Sequence, residues 1–220
     1  MSSIVQLLFP STCLLCNAAG SDLCARCEAK IERNRRTLSV ADTPIWAGAV
    51  YGDELSELIL MAKEQHIAPA RNFLAGLLVD SFMRAQSDLE ESRQVILVPV
   101  PSSKSANRVR GYRHAYLLAV ALVKRLPQAQ RNLVTVQERL VVNRKIADQT
   151  NLNRSEREHN VHGAYSVVDL NRRIDQAALF LVDDVVTTGS SVREGVRTLR
   201  QAGVRPLGVL AAGVSPRLFS

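Results

Sequence analysis

Two adjacent carboxylates, four hydroxyls and one glycine follow an apolar stretch near the end of the sequence. Residues 179–191 read L-F-L-V-D-D-V-V-T-T-G-S-S. Glycine accepts backbone conformations that other residues resist, and the N–H groups that begin a helix suit a phosphate. Carboxylates beside such a site would accept hydrogen bonds from a sugar diol or meet a divalent cation. The string therefore favours a site for a phosphorylated sugar.

A purely structural role fits this segment less well. One serine could be a simple N-cap and the acidic residues a solvated turn, but this accounts for one serine and not for the whole string. The Walker pattern GxxxxGK[ST] and the dinucleotide fingerprint GxGxxG are both absent from the sequence. The predicted phosphate site is therefore of another type.

The four cysteines form a second candidate site. They lie in a C-x2-C-x7-C-x2-C array, as Cys13, Cys16, Cys24 and Cys27. Two such pairs can supply four thiolates to one zinc ion, and four sulfurs leave no open position, so the zinc would be structural. An iron–sulfur cluster and redox chemistry remain alternatives. Disulfides fit poorly with the reducing cytosol that we expect for this chain.

The charge is concentrated in the middle of the chain. The 220 residues carry 28 basic and 21 acidic side chains, for a net charge of +7. Residues 102–162 alone hold 12 basic and 4 acidic side chains, and three of the four histidines. A local basic field indicates an anionic partner. The composition is that of a globular protein and excludes disordered, collagen-like and coiled-coil classes.

The sequence shows no targeting or membrane signal. Its longest apolar run, Leu117–Val123, is seven residues, far below the roughly 20 that span a bilayer. The N-terminal apolar run is short and stops at Pro10. We therefore expect a cytoplasmic protein with no membrane partner.

Apolar strands and amphipathic helices alternate through most of the chain. This order predicts a parallel sheet with helices on both faces. Residues 138–162 have no clear periodicity and are too long for a simple connection, which is typical of a functional lid or a binding loop. We expect a zinc-binding module in residues 1–40 and one α/β domain in residues 41–220. The predicted strands are residues 45–51, 95–98, 133–136, 178–182 and 207–214, and the helices are 54–65, one following Pro69, 112–126 and 192–202.

The segment V-D-D-V-V-T-T-G-S-S resembles the loop with which type I phosphoribosyltransferases bind 5-phosphoribosyl-1-pyrophosphate (PRPP). The wider chain resembles the ComF family, in which a CxxC zinc module precedes a type I phosphoribosyltransferase domain. The elements that match this family are Leu8-Phe9-Pro10, Tyr51, residues 55–59, Val98-Pro99-Val100-Pro101, Arg110-Gly111-Tyr112, Gln149, Leu152, Arg154, Arg157 and Asn160.

The resemblance implies a type I phosphoribosyltransferase fold, with residues 138–162 as a mobile hood. It implies that the acidic pair holds the ribose hydroxyls, that the T-T-G-S turn cradles the 5′-phosphate, and that residues 100–104 contact pyrophosphate. Mg2+ would bind together with PRPP. The implied PRPP-binding residues are Asp183, Asp184, Val185, Val186, Thr187, Thr188, Gly189, Ser190, Ser191, Val100, Pro101, Ser102 and Arg110.

Three positions depart from the family pattern. Arg113-His114 replaces the usual Asn-Gln after the RG[FY] motif, Lys63-Glu64 replaces a Lys-aromatic pair, and only four cysteines are present. Thr187 stands where members that use 6-oxopurines have Asp, which argues against such a substrate. Hood closure would bring some basic side chains to the ligand, from the set Arg108, Arg110, Arg113, Arg144, Lys145, Arg154 and Arg157.

Two functions remain open from the sequence. The chain is either a Mg-dependent transferase that moves phosphoribose to an unidentified acceptor, or a non-catalytic PRPP-binding protein of DNA uptake that holds single-stranded DNA. The low aromatic content of 5% offers little surface for stacking bases, which disfavours strong single-strand binding. No residue is assigned a catalytic role, and a homo-oligomer is left open.

Overall fold

A computed structural model describes residues 11–87, 89, 93–102, 112–143, 161–169 and 177–219. Within these ranges, six strands form one sheet in the order β1-β2-β8-β7-β3-β4, and two more form a separate antiparallel hairpin. Only the edge pair β1–β2 of the main sheet is antiparallel. The strands are β1 Thr37–Val40, β2 Thr43–Val50, β3 Val95–Pro99, β4 Val134–Val136, β5 Leu140–Val142, β6 Tyr165–Val167, β7 Ala178–Val186 and β8 Gly208–Val214.

Helices cover both faces of this sheet, because alternate side chains of its strands point to opposite faces. The helices are α1 Ala25–Glu28, α2 Asp53–Glu64, α3 Ala68–Ala85, α4 His114–Arg125, α5 Gln128–Arg131 and α6 Ser190–Gln201. Phe180 and Val182 of β7 belong to an apolar core with the helices α2, α3 and α4, whereas Leu179 and Leu181 belong to a core with α6 and the hairpin. The predicted α/β class, a largely parallel sheet between helical layers, is confirmed.

The ends of two helices differ from the predicted ones for local reasons. The helix predicted from residue 112 begins at His114, because the backbone of Arg113 is extended, with φ −100° and ψ 99°. The Tyr112 hydroxyl before it donates to the carbonyl oxygens of Ala62 and Lys63 at 2.5 and 2.9 Å. The helix predicted from residue 192 begins at Ser190, directly after Gly189. Both differences place functional side chains at the first turn of a helix.

The segment between the cysteines and the domain is continuous with the main sheet. The N–H of Asn34 donates to the carbonyl of Gly48 at 3.1 Å, and the N–H of Val50 donates to that of Glu32 at 2.7 Å. Strand β1 then pairs with β2 as the edge of the sheet. Residues 37–40, which the sequence analysis places in the N-terminal module, are therefore part of the sheet of the larger domain.

Strand β2 lies unusually close to α3. A Cβ on Gly48 would lie 2.5 Å from the carbonyl oxygen of Leu77. This distance is too short for any side chain at residue 48. The absence of a side chain at residue 48 lets the helix rest against the strand backbone, with Leu77 and Phe82 fully buried beneath the sheet. Replacing such a buried phenylalanine with alanine costs about 3–5 kcal/mol.

Candidate functional site

The turn between β7 and α6 is shaped around a glycine. Gly189 has a φ of +76° and precedes the first helical residue, Ser190. This left-handed conformation favours glycine. A Cβ at this position would also lie 3.0 Å from Val40 Cγ2 on the edge strand. Both the backbone angle and the available space therefore require glycine here.

Polar groups around this turn are fixed in place before any ligand binds. The hydroxyls of Thr188 and Ser190 lie 2.7 Å apart, and the Arg193 guanidinium donates to the Thr188 carbonyl at 3.0 Å. The first N–H groups of an α-helix have no carbonyl partner within the helix and carry partial positive charge. The start of α6 thus has the geometry of an anion-binding turn, and we refer to it as the cradle.

The carboxylate pair, Asp183 and Asp184, lies beside this cradle near the carboxyl end of β7. Asp184 is buried, and its Oδ1 accepts a hydrogen bond from the N–H of Val185 at 2.7 Å. Its Oδ2 makes ionic contacts with Lys63 Nζ at 3.1 Å and His114 Nε2 at 3.5 Å. Lys63 lies in the last turn of α2 and His114 begins α4, so three elements converge on one carboxylate.

The two carboxylates differ in ionisation. Burial alone would raise the pKa of Asp184, but the Lys63 ammonium and His114 lower that pKa below its usual value. Burial and the adjacent Asp184 raise the pKa of Asp183 well above its usual range, against the opposing charge of Lys63. The surroundings therefore favour the charged form of Asp184 and disfavour the charged form of Asp183.

The loop after β3 lies next to the loop after β7, because these strands are parallel neighbours. The N–H of Val100 donates to the carbonyl of Val182 at 2.8 Å. The Tyr165 hydroxyl lies 3.5 Å from the Pro101 carbonyl, and burial raises the pKa of that tyrosine. Ser102 is the last residue of this loop that the structure describes. The structure thus brings together the two segments that the resemblance implies bind PRPP. Arg110 lies outside the described residues.

A cleft of about 310 Å3 opens between the loop after β3, the start of α4 and strand β5. The guanidinium of Arg113 bonds to the Glu138 carboxylate at this cleft and lies 5.2 Å from the centre of the Tyr116 ring. Of the seven basic residues considered for hood closure, only Arg113 falls within the described ranges. Of residues 138–162, the predicted hood, the structure describes 138–143 and 161–162, and next to them β5 pairs with β6 as a hairpin.

Glu194 joins α6 to this hairpin. Its carboxylate is 2% exposed and accepts two hydrogen bonds from Arg197, both at 2.7 Å. It also accepts from the N–H of Tyr165 at 3.4 Å. Burial raises the pKa of Glu194, but Arg197 and the N–H groups of Gly163 and Tyr165 outweigh burial and lower it. The cradle and the base of the hood are thus tied together by one buried carboxylate.

Four of these residues were not assigned to the site from the sequence: Lys63, His114, Tyr165 and Glu194. The departures at Lys63-Glu64 and Arg113-His114 were visible in the sequence, and they were the available signal for the first two. Tyr165 and Glu194 carry no such signal, because their roles depend on how the hairpin packs on α6.

The four cysteines come together as predicted. Their sulfur atoms all lie within 4.8 Å of one another, and Cys16 Sγ and Cys24 Sγ are 3.7 Å apart. That separation is far too long for a disulfide of about 2.05 Å, and it matches the edge of a tetrahedron with Zn–S bonds of about 2.3 Å. All four are free thiols. The arrangement fits a metal ion held by sulfur.

The sulfur atoms also sit in contrasting environments. Hydrogen bonds from the backbone of Cys24 and Cys16 lower the pKa of Cys13 to about 6. Burial and the neighbouring cysteines raise the pKa of Cys27 to about 12. Four close thiolates repel one another without a cation, so this donor set is one that a divalent metal would stabilise.

Among the described helices, none is long and apolar enough to cross a membrane.

Comparison with known proteins identifies relatives of two kinds. The chain is 30% identical over 159 residues to competence protein F of Haemophilus influenzae, covering 72% of this chain and 67% of that protein. A stretch of 37 residues is 54% identical to orotate phosphoribosyltransferase of Methylococcus capsulatus, and covers only 17% of the length of either chain. No family model matches the sequence. Among solved structures, a hypoxanthine phosphoribosyltransferase from Staphylococcus aureus is similar with a TM-score of 0.40 and 11% identity, over 67% of this chain and 66% of that one.

Proposed function

The chain belongs to the ComF family, and from this membership we propose that it binds PRPP with Mg2+ and transfers the phosphoribosyl group to an acceptor of unidentified structure. One observation carries the proposal. The two segments expected to hold PRPP lie side by side, because the loop after β3 begins with a 2.8 Å hydrogen bond from the N–H of Val100 to the carbonyl of Val182, directly before the carboxylate pair on β7. Ligands of open α/β sheets bind at the carboxyl ends of such strands.

Each group in this proposal has a defined task. The first-turn N–H groups of α6, with the hydroxyls of Thr188 and Ser190, bind the 5′-phosphate. Asp183 lies beside the cradle and is half-buried, and its carboxylate accepts hydrogen bonds from the ribose hydroxyls. The backbone of Val100, Pro101 and Ser102 lines the cleft at which the diphosphate leaves. A hood closing from the hairpin excludes water from the reacting carbon.

The reaction breaks the bond between ribose C1 and the diphosphate oxygen, whose electron pair leaves with the diphosphate, while an acceptor atom bonds to C1. Carboxylates are ligands of the kind that Mg2+ prefers, so the pair fits that ion. Mg2+ bound with PRPP would neutralise the charge of the leaving group. The chain's own contribution is to hold the sugar and both phosphate groups in one orientation.

Calorimetric titration of the protein with PRPP and Mg2+ tests the binding step. We expect Asp183→Asn to weaken binding by about tenfold, because the amide nitrogen cannot accept a hydrogen bond from a ribose hydroxyl, and one hydrogen bond is worth about 0.5–1.5 kcal/mol. Asp169→Asn is the matched control, since Asp169 is exposed and has a φ of +52° that asparagine tolerates. Equal affinity of the wild type and Asp183→Asn for PRPP would contradict the assignment of the Asp183 carboxylate to the binding site.

Release of pyrophosphate from PRPP, measured across a panel of candidate bases, tests the transfer step. We expect release to depend on one acceptor, and the 37-residue match to an orotate phosphoribosyltransferase makes pyrimidines the first group to include. Tight PRPP binding without acceptor-dependent release from any base in the panel would contradict the transferase proposal and leave a PRPP-binding protein.

For the cysteine cluster we infer a structural zinc ion. Elemental analysis of the purified protein should give one zinc per chain, and Cys27→Ser should abolish that stoichiometry. Iron with a visible charge-transfer absorption would instead identify an iron–sulfur cluster. Neither outcome bears on the PRPP site, because the inferred zinc has no open coordination position.

A second candidate function is single-stranded DNA binding. It is favoured by the match to competence protein F and by the 12 basic against 4 acidic residues in segment 102–162. Affinity for an oligonucleotide that falls steeply with salt would support it, because each neutralised phosphate releases a counterion. Weak binding with a flat salt dependence would exclude it.

A further inference from the structure

The carboxyl group of Asp184 is closed off from the ligand side. Its Oδ1 is engaged by the N–H of Val185, and its Oδ2 is enclosed, with Lys63 Nζ and His114 Nε2 against it. The His114 side chain is only 2% exposed. A sugar hydroxyl could reach Asp184 only after these neighbours had moved.

Lys63, in contrast, is open on one side. Its side chain is 31% exposed while its ammonium touches Asp184. The end of α2 that carries it is held by the Tyr112 hydroxyl, which donates to the carbonyls of Ala62 and Lys63. The Tyr112 ring lies against His66, with ring centres 4.3 Å apart. Lys63 is therefore a cation fixed beside the carboxylate pair, and it comes from outside the basic segment 102–162.

Asp183 lies on the opposite face of β7. Asp183 is half-buried on the side of the hairpin, where its charge raises the pKa of Tyr165. Asp184 is buried on the side of α2 and α4, against Lys63 and His114. The Oδ1 of Asp183 accepts the N–H of Asp184 at 2.9 Å, which leaves lone pairs on both oxygens for other donors. The two carboxylates therefore meet different surroundings.

We propose that the carboxylates have different tasks: Asp184 is an internal counter-ion that holds the Lys63 ammonium at the site, Lys63 donates to the anionic ligand, and Asp183 accepts the sugar hydroxyls. This inference rests on the proposed PRPP site and divides the roles within it. Lys63 is then a ligand-contacting residue, and Asp184 acts through it as a positioning residue.

The pairing of Lys63 with Asp184 is tested first without any ligand, by urea unfolding of Lys63→Gln, Asp184→Asn and the double variant. Each single variant should lower the urea midpoint, and the double variant should lose less than both losses combined, because it leaves no buried charge unpaired. Lys30→Gln is the control, since Lys30 forms an exposed ion pair with Glu54 at 3.3 Å. Losses that simply add would overturn the pairing.

Ligand binding then separates a positioning role from a structural one. With ribose 5-phosphate and with PRPP and Mg2+, Lys63→Gln and Asp184→Asn should each weaken affinity by about tenfold. The double variant should be no weaker than either single one, and Lys63→Arg should recover most of the affinity. Asp183→Asn should lose affinity with no fall in the urea midpoint.

The possible failures are distinguishable. If the wild type binds PRPP and the losses of Lys63→Gln and Asp184→Asn multiply in the double variant, this inference is overturned and the proposed function stands. An Asp184→Asn variant with normal stability and an affinity loss like that of Asp183→Asn would overturn it as well. If the wild type binds neither ligand, the proposed function fails, and with it the ligand role of Lys63.

Discussion

Replacing Gly189 with alanine tests whether the cradle depends on a left-handed turn. The φ of +76° costs an L-residue about 1–2 kcal/mol. The added Cβ would lie 3.0 and 3.3 Å from the two Val40 methyl carbons, and overpacking costs about 1–3 kcal/mol. Because Val40 lies on an edge strand, it can yield by a few tenths of an ångström. We therefore expect a loss of about 2–3 kcal/mol in the free energy of unfolding.

Urea unfolding of the metal-loaded protein, followed by circular dichroism, measures this loss, and calorimetry with ribose 5-phosphate measures the accompanying loss of affinity. A Val40→Ala background separates the two contributions. It removes the crowding and leaves the backbone strain, so Gly189→Ala should cost about 1 kcal/mol less there than in the wild type.

One result would refute this reasoning. Where the backbone conformation is compatible with alanine, replacement of glycine stabilises a protein by about 0.4–1 kcal/mol, because the unfolded chain loses freedom. A stabilised Gly189→Ala variant with normal affinity for ribose 5-phosphate would show that the turn is not left-handed. The cradle would then need another geometry.

Three further predictions concern the residues around the site. The folded pKa of Glu194 lies below its usual 4.5, so its contribution to stability is present above pH 4.5 and is lost as pH falls through the folded value; the stability difference between wild type and Glu194→Gln should shrink below pH 4.5 and not above it. Cys16→Ser should remove the metal and lower the melting temperature, and added zinc should not restore it; full zinc occupancy in that variant would contradict the assignment. Arg113→Gln should weaken binding of inorganic pyrophosphate while leaving ribose 5-phosphate affinity unchanged, because Arg113 lines the cleft; equal losses for both ligands would argue against that position.

Local patterns predicted the parts of the molecule that depend on neighbours in sequence. The apolar run that became β3 and the spacing of the cysteines could be recognised directly. The turn at Gly189 was predictable because an apolar strand, a glycine and a helix start occur in succession. These features need only a few consecutive residues to specify them.

Other parts depend on packing between distant segments. Lys63 reaches Asp184 because α2 packs on the same face of the sheet as that carboxylate, which residues 54–65 alone cannot specify. Strand β1 contains Thr37 and Ser39 and reads like a linker, yet it pairs with β2 because the sheet edge there is open. In the sequence, Glu194 cannot be told from an exposed glutamate of a helix, because its burial depends on how the hairpin packs on α6.

The alternation of side chains along β7 links the core to the chemistry of the site. Leu179 and Leu181 face one layer, and Phe180 and Val182 face the other. A shift of the strand by one residue would reverse every side chain, and would exchange Asp183 with Asp184. The apolar residues that determine the strand register therefore also determine which carboxylate faces the hairpin. A substitution in the core that changed the register of β7 would therefore also change which carboxylate is available at the site, so the core and the site cannot vary independently.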